Sequence, residues 1–380
     1  MKVAQITLSA LPSLQDTAPL MAVSPQMALV FGDVALLSDP TCLPSLQAAL
    51  PGVTLVGCST AGEIAQDGVY NGALVITALH FDQPTFKLAT TDLVDMADSF
   101  AAGERLAKGL MQDGLRNVLV LGQGVAINGS ALIEGMRNIL PADVSLSGGL
   151  AGDGGAFQQT WTLSDQGVSP KQLVAMGFVG DHIQMRHGSF HGWQPFGVIR
   201  RVTRCDHNLL YELDGEPALD IYKRYLGDYA KDLPGSGLLF PFEILGQDLT
   251  AVGLIRTILG IDESNGSLIL AGDIEPDGYL RLMHANTDSL INGAQAAAEK
   301  VREAGLPDGA CLALLVSCVG RKLVMGAHVD EEIDAVVDVF GKGAAIAGFY
   351  SYGEISPMIK GMDCKLHNQT MTITYISEAA

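Results

Sequence analysis

Basic residues are scarce in this sequence of 380 residues. Its 23 lysines and arginines face 42 aspartates and glutamates, which gives a net charge of −19. Such a chain repels phosphate groups, so nucleic acids and anionic membrane surfaces are disfavoured as partners. The acidic excess by itself indicates little more than solubility. We therefore expect a partner of another kind.

Long apolar runs are missing as well. No run reaches the roughly 18 residues that a membrane-spanning helix needs. The first residues, MKVAQITLSALPSL, carry one lysine, and their apolar residues are interrupted by Gln5, Thr7 and Ser9. A signal peptide would show a continuous apolar stretch instead. These absences predict a soluble, cytoplasmic protein with no membrane segment.

The cysteines form no C-x-x-C or C-x-x-C-H pattern, so their spacing does not match a metal or haem-attachment motif. Reduced, buried thiols are the expectation for cysteines in apolar surroundings. They are Cys42, Cys58, Cys205, Cys311, Cys318 and Cys364.

Two phrases in the chain resemble each other, and both take an apolar strand into a glycine turn. In LVGCSTAGEI and AGFYSYGEIS, Thr60 matches Ser351, and Gly62-Glu63 matches Gly353-Glu354. A looser relative, SGGLAGDGGAF, places Asp153 after a glycine. Repetition of one strand-to-turn device indicates an internal duplication.

Length and element pattern predict two related halves of mixed α/β type with α+β character. A chain of this length exceeds what one core usually organises. Consecutive strand-like segments without helices between them favour mixed or antiparallel sheets flanked by helices. Residues 72–81 and 85–93 read as an antiparallel pair. We place the halves at residues 1–195 and 196–380.

The carboxylates of the glycine turns allow two interpretations. Glycine permits close approach of a backbone, so Glu63 and Glu354 could form the rim of a pocket for a small polar ligand. Alternatively, they satisfy backbone donors and lock the two halves together. A phosphate loop is excluded, because no Lys-Ser/Thr follows the second glycine.

Three further sets of residues offer chemistry. His187 and His191 are four residues apart beside several aromatic side chains, a setting that suits haem or ordinary hydrogen bonding. Cys58 is either a nucleophile or a buried thiol. Arg321 either pairs with a carboxylate such as Glu354 or binds an anionic ligand.

These motifs resemble the FIST sensory family, whose members carry FIST N and FIST C regions. GCSTAGEI and GGLAGDG resemble the N region, while HGWQPFG, ELDGEPALDIY, SCVGR and FYSYGEISP resemble motifs in and around the C region. The resemblance implies a bacterial intracellular sensor of small ligands such as amino acids. It also points to a nitric-oxide-sensing haem branch that signals through a partner histidine kinase.

Our leading hypothesis is therefore a non-enzymatic small-ligand sensor in bacterial signal transduction, with haem as one version. The alternatives are a sensor of an amino acid or similar metabolite, and an enzyme that uses Cys58 or paired carboxylates. The histidines named as metal ligands are His191 and His187. The predicted ligand-binding residues are Cys58, Ser59, Thr60, Glu63, Asp153, Trp193, Arg321, Ser351, Tyr352 and Glu354.

Overall fold

The computed structural model describes residues 1–307, 309–341, 343–357 and 364–379. One pattern of elements occurs three times along the chain. Each copy has an edge strand, a parallel strand pair joined through helices, a short hairpin and a closing strand. We call these copies unit 1 (residues 2–80), unit 2 (residues 86–179) and unit 3 (residues 183–190 and 287–378).

The elements of the three units follow in chain order. Unit 1 comprises β1 (Lys2–Leu8), α1 (Ala18–Met21), β2 (Met27–Gly32), α2 (Val34–Leu37), α3 (Cys42–Ala49), β3 (Thr54–Ser59), β4 (Glu63–Ala65), β5 (Gly68–Tyr70) and β6 (Leu74–His80). Unit 2 comprises β7 (Phe86–Asp92), α4 (Ser99–Leu110), β8 (Leu115–Gly122), α5 (Gly129–Ile139), β9 (Ser145–Leu150), β10 (Thr162–Ser164), β11 (Gly167–Ser169) and β12 (Gln172–Val179). Unit 3 begins with β13 (Ile183–Phe190) and, after an insertion, continues after residue 286.

The insertion and the rest of unit 3 complete the chain. The insertion contains β14 (Gln194–Pro195), β15 (Arg200–Asp206), β16 (Leu209–Leu213), β17 (Glu216–Pro217), α6 (Ala218–Leu226), β18 (Phe242–Leu245), β19 (Ala251–Arg256), β20 (Ile258–Asp262), β21 (Ser267–Leu270) and β22 (Tyr279–His284). Unit 3 resumes with α7 (Thr287–Glu303), β23 (Cys311–Cys318), α8 (Val319–Met325), α9 (Val329–Phe340), β24 (Ala344–Ser351), β25 (Gly353–Pro357), β26 (Cys364–His367) and β27 (Met371–Glu378).

The three units interlock because each contributes its hairpin to the sheet of another. Their sheets run in the orders β1-β6-β2-β3-β10-β11, β7-β12-β8-β9-β25-β26 and β13-β27-β23-β24-β4-β5. Each sheet contains one parallel pair, which is β2 with β3, β8 with β9 or β23 with β24. The other neighbouring pairs are antiparallel. Unit 1 thus gives its hairpin to unit 3, unit 3 to unit 2 and unit 2 to unit 1. The arrangement is a closed, threefold exchange of strands.

One apolar core lies between the three sheets. The sheets' inner faces supply residues to the same buried cluster, which includes Phe31 of unit 1, Leu119 of unit 2 and Phe349 of unit 3. Phe31 and Phe349 stack with their ring centroids 4.7 Å apart. The outer face of each sheet is covered by helices of its own unit. Both faces of the central strands are therefore buried, which explains their nearly continuous apolar sequences.

The insertion between β13 and α7 forms a separate nine-stranded sheet that packs around α6. Trp193 joins this sheet to unit 3 in a small apolar cluster with Ile255 and Leu290. The buried guanidinium of Arg256 also donates a hydrogen bond to the carbonyl of Leu366, 3.2 Å away in the hairpin of unit 3. The insertion is thus tied to the unit whose chain it interrupts.

The expected mixed α/β architecture with flanking helices is confirmed. The structure extends the expected duplication to three copies. The predicted pairing of residues 72–81 with residues 85–93 is wrong, because β6 closes the sheet of unit 1 and β7 opens that of unit 2. A short turn between two extended segments looked like a hairpin, although it is the link between units. Within the described ranges, no helix has the length and apolar character to cross a membrane.

A glycine at the same place in each unit permits the close approach of its parallel strand pair. A Cβ added at Gly57 or Gly348 would lie 1.9 Å from the carbonyl oxygen of Val30 or Leu315, respectively. At Gly148 the corresponding distance to the oxygen of Val120 would be 1.8 Å. These distances are far below van der Waals contact, so only glycine fits.

We expect Gly148→Ala to lower the free energy of unfolding by about 3 kcal/mol or more, because the strand pair must separate to admit the methyl group. The control is Gly167→Ala in β11, where an added Cβ would meet no atom within 4 Å. Urea unfolding of both variants measures the difference. If the two variants had equal free energies of unfolding, the parallel strands would be able to separate at little cost.

Candidate functional site

The three glycine turns meet in a ring of backbone hydrogen bonds. In each unit, one residue of the turn accepts a hydrogen bond through its carbonyl. The residue two positions later donates its N–H to the next unit. The three bonds are Ala61 N to Tyr350 O (2.8 Å), Tyr352 N to Leu150 O (3.1 Å) and Gly152 N to Ser59 O (2.9 Å). Every unit gives one bond and receives one, so the ring closes the threefold arrangement.

Glu63 and Glu354 occupy equivalent places beside this ring, and both are buried. Each carboxyl accepts a hydrogen bond from the hydroxyl three residues earlier and another from the N–H that precedes the closing strand of its unit. The bonds are Thr60 Oγ1 to Glu63 Oε1 (2.6 Å), Ala73 N to Glu63 Oε2 (3.2 Å), Ser351 Oγ to Glu354 Oε1 (2.7 Å) and Thr370 N to Glu354 Oε2 (3.2 Å). This geometry favours the locking interpretation.

Burial also decides the protonation of these two carboxyls. It raises the pKa of Glu63 to about 7 and that of Glu354 to about 8. The hydrogen bonds act in the opposite direction and are outweighed. A raised pKa means that a carboxyl carries less negative charge near neutral pH, which makes it a poorer anchor for a cationic ligand and suits a buried hydrogen-bonded lock.

Strand register identifies the third member of this set as Thr162. Glu63 pairs with Phe349, Glu354 with Gly149 and Thr162 with Cys58, each beside the glycine of a parallel pair. The hydroxyl of Thr162 donates to the carbonyl of Gln172, 2.6 Å away at the start of the closing strand. In unit 2 a hydroxyl therefore takes the place of the carboxyl. Asp153 does not occupy this position.

Asp153 organises the long turn that follows β9. Its carboxylate accepts bonds from the N–H groups of Phe157 (2.8 Å), Gln158 (2.7 Å) and Gln159 (2.9 Å), and from the hydroxyl of Tyr352. The Tyr352 ring stacks on Phe157 with centroids 4.1 Å apart. Asp153 and Tyr352 thus hold the turn of unit 2 against unit 3, and their polar atoms are used internally.

Arg321 pairs with a carboxylate, as one interpretation proposed, although the partner is Glu332. Both side chains are completely buried. Glu332 also accepts hydrogen bonds from Ser317 Oγ and Tyr350 Oη, each 2.9 Å away. The Arg321 Nη2 atom that pairs with Glu332 also donates to the carbonyl of Leu290, at 2.9 Å, and Nη1 donates to the carbonyl of His191. This network stabilises unit 3 and leaves Arg321 no direction for an external ligand.

Cys58, Ser59 and Trp193 are also engaged inside the protein. Cys58 belongs to the central core, where burial raises the pKa of its thiol well above the ordinary value. Ser59 donates to the carbonyl of Gly152 at 2.7 Å, and the Trp193 indole donates to the carbonyl of Gln369 at 2.9 Å. A neutral, buried thiol is not a nucleophile.

His187 and His191 are held by hydrogen bonds of different kinds. The Nε2 and Nδ1 atoms of His187 lie 2.6 Å from Ser145 Oγ and 3.3 Å from Thr374 Oγ1. His191 Nδ1 accepts the backbone N–H of Trp193 at 2.9 Å. In the neutral ring, the proton of His191 is therefore on Nε2. Burial lowers the pKa of both histidines to about 4.

These histidines do not fit a haem ligand in this conformation. Iron binding needs a ring nitrogen with a free lone pair. Both nitrogens of His187 are engaged, and His191 would have to give up the hydrogen bond from Trp193 to move its proton to Nδ1. The described residues also contain no group of three or more His, Cys, Asp or Glu side chains placed to hold a metal ion.

A cavity of about 580 Å³ lies between units 2 and 3, away from the ring. One wall is the edge strand β13, and the other is formed by the first residues of β8 and β9 and the end of α5. Three arginines widely separated in sequence line this cavity, and no motif connects them, so sequence reasoning missed them. The lining includes Arg116, Asn117, Arg137, Asp143, Ser145, Asp181, Ile183, Met185, Arg186 and His187.

The fold thus defines a mixed α/β protein built from three interlocked repeats with one inserted sheet. The chain belongs to the FIST family, because residues 26–216 match the FIST N domain and residues 218–357 match the FIST C domain. FIST domains are sensor domains of signal transduction and bind small ligands.

Relatives and a solved structure give the following likenesses. The chain is 27% identical over 237 residues to uncharacterised proteins of Mycobacterium bovis and Mycobacterium tuberculosis, a match that covers 60% of this chain and 59% of each relative. It is 24% identical over 215 residues to an uncharacterised protein of Methanocaldococcus jannaschii, covering 52% of this chain and 40% of the relative. The match thus spans less than two thirds of these relatives. A cyanuric acid hydrolase from A. caulinodans is similar at a TM-score of 0.35 and 10% identity, covering 100% of this chain and 99% of the hydrolase, and carries no argument here.

The buried Glu354 predicts a particular dependence of stability on pH. Because its folded-state pKa is raised from 4.5 to about 8, folding binds a proton that the unfolded chain releases. Its stabilising contribution is complete below about pH 4.5 and is lost as the pH rises through about 8. Glu354→Gln, which mimics the protonated carboxyl, should flatten this decline by roughly 1–3 kcal/mol.

Denaturant unfolding between pH 5 and pH 8 measures this change. The control is Glu134→Gln on the exposed face of α5, which should leave the slope as it is in the natural protein. If the free energy of unfolding of Glu354→Gln declined with pH as steeply as that of the natural protein, the Glu354 carboxyl would be ionised in the folded state.

Proposed function

We propose that the protein is a cytoplasmic small-ligand sensor whose ligand occupies the cavity between units 2 and 3. The observation that carries this proposal is the position of the cavity, since its walls belong to two different units. A ligand there contacts both walls at once. Its binding free energy would therefore depend on how the two units are placed, which is the requirement for a sensor.

The path of the chain connects the cavity to the inserted sheet, which offers a route by which ligand binding could reach the surface. His187 of β13 bridges to Ser145 of β9, so the edge strand of unit 3 contacts unit 2 at the cavity. The same strand leads directly through His191 and Trp193 into the inserted sheet. A shift of β13 would thus move the root of the insertion. We propose that a partner protein, such as a histidine kinase, responds to this change.

The observations favour a metabolite over haem as the ligand. The hydrogen bonds of His187 and His191 oppose iron ligation, whereas the cavity offers polar and apolar walls of a size suited to a small metabolite. Nitric oxide sensing through haem stays a prediction, as does the partner kinase. An enzyme based on Cys58 has no support from the neutral, buried environment of that thiol.

The cavity can be closed by substitution to test the proposal. Ala142 lines it from the loop before β9, and we expect Ala142→Trp to abolish the stabilisation given by any metabolite that binds there. A thermal-shift screen of amino acids, organic acids and nucleosides first identifies a stabilising compound. Ala101→Trp, on the exposed face of α4, is the matched control and should keep the effect. A compound that stabilises both variants equally binds elsewhere and would contradict the proposal.

Haemin addition separates the two versions of the sensor. We expect no Soret band that depends on either histidine, because each would have to break a hydrogen bond to bind iron. Absorption spectra of the natural protein, His187→Ala and His191→Ala should therefore agree. A Soret band that is lost in His191→Ala would overturn this expectation and establish haem ligation.

A further inference from the structure

We propose that the cavity between units 2 and 3 is a site for a small oxyanion, a carboxylate or a phosphate, bound by Arg137 and Arg186. The inference rests on the proposed function and adds the chemical class of the ligand. It comes from the charges that line the cavity rather than from its shape.

The three arginines of the cavity differ in their ionic partners. Arg116 is paired twice, with Asp181 at 2.7 Å and with Asp143 at 3.5 Å. Arg137 and Arg186 have no carboxylate partner among the described residues. This is unexpected in a chain with 42 acidic and 23 basic residues, where counter-ions are abundant. Two cations that have no carboxylate partner in the described part of the chain therefore line one cavity.

Hydrogen bonding of these two guanidinium groups is also incomplete. Arg137 donates to the carbonyl of Val144 at 2.6 Å, and Arg186 donates to Gln184 Oε1 at 3.1 Å. The Arg137 Nε and Arg186 Nη1 atoms are buried and have no acceptor in the described structure. Buried donors without acceptors are costly, especially on charged groups. An oxyanion that drew the guanidinium groups together would supply the missing acceptors and the missing charge.

The threefold arrangement provides an internal comparison. A cavity of about 890 Å³ lies along β1, the edge strand of unit 1, and is lined mainly by unit 1, with Ala345 of unit 3 at its margin. The register of the edge strands places Gln5 opposite Thr77 and His187 opposite Thr374, so Gln5 is the counterpart of His187 and Ala4 that of Arg186. The lining described for this cavity contains no lysine or arginine. The fold therefore does not require cations at this position.

The other lining groups restrict the ligand further. Ile183 and Met185 offer apolar surface, whereas Ser145 and His187 are hydrogen-bonded to each other and add polar atoms to the lining. Asp143 and Asp181 remain beside Arg116 and would repel a second anionic group. These surroundings favour a molecule with one oxyanion group and a short apolar part.

The test uses butyrate, inorganic phosphate and butyramide as probes, each measured by calorimetric titration at constant ionic strength in sodium chloride. Butyramide has the shape of butyrate without its charge. We expect butyrate or phosphate to bind and butyramide not to bind. The relative affinities of butyrate and phosphate distinguish the two sources of the oxyanion. If neither anion binds in preference to chloride, the proposal is wrong.

Substitutions assign the binding to particular arginines. Arg137→Gln and Arg186→Gln should each weaken the anion by at least about tenfold, the equivalent of one lost charge-assisted hydrogen bond. Arg186→Lys should retain part of the affinity. The matched control is Arg105→Gln in α4, which removes a cation that is paired with Asp98 outside the cavity and should change the affinity by less than about threefold.

The outcomes separate this inference from the proposed function. Thermal unfolding of each variant first establishes that it is folded. Equal losses in all three glutamine variants would indicate a general charge effect and overturn the site. If the metabolite screen yields a neutral compound whose effect is lost in Ala142→Trp, the cavity is a sensor site but the oxyanion proposal fails. If no compound of any class binds, the proposed function fails with it.

Discussion

The ring of three hydrogen bonds between the glycine turns is the constraint on which the structure depends. Each bond joins two units, and each unit also lends its hairpin to a neighbouring sheet. No unit can complete its sheet alone, because two of its six strands come from another. The backbone approaches closely at the ring, where a Cβ added at Gly152 would lie 2.5 Å from the backbone nitrogen of Ala61. Cooperative folding of the three units follows from the exchange.

The carboxyls beside the ring belong to the same constraint. Glu63 and Glu354 each join a turn to the N–H before a closing strand, and unit 2 achieves a related link with Thr162. The carboxyls accept from a backbone N–H, whereas the Thr162 hydroxyl donates to a backbone carbonyl, so the link to the closing strand is kept with its direction reversed. The substitution of one for the other across the repeats supports a structural role for this set.

The sequence predicted the parts of this protein that local pattern determines. The resemblance of the turns around Glu63 and Glu354 correctly marked a repeat, since both carboxyls accept equivalent hydrogen bonds in units 1 and 3. The looser relative SGGLAGDGGAF does lie at the equivalent turn of unit 2, but its Asp153 is not the counterpart of Glu63, because Thr162 occupies that position. The pairing of strands could not be foreseen. β6 and β7 are adjacent in sequence, yet they belong to different sheets. The cavity depends on residues from Arg116 to His187 that only this exchange brings together.

The proposed ligand site lies where the three repeats differ. At the ring they are nearly equivalent, and the polar groups there satisfy one another, which leaves little for a ligand to recognise. Differences accumulate at the outer edges, where unit 3 receives an inserted sheet and its edge strand carries Arg186 and His187 in place of Ala4 and Gln5. The cavity and the insertion share that strand. Under the proposed function, a ligand at this edge would act on β13, which joins the cavity to the insertion, without a rearrangement of the core.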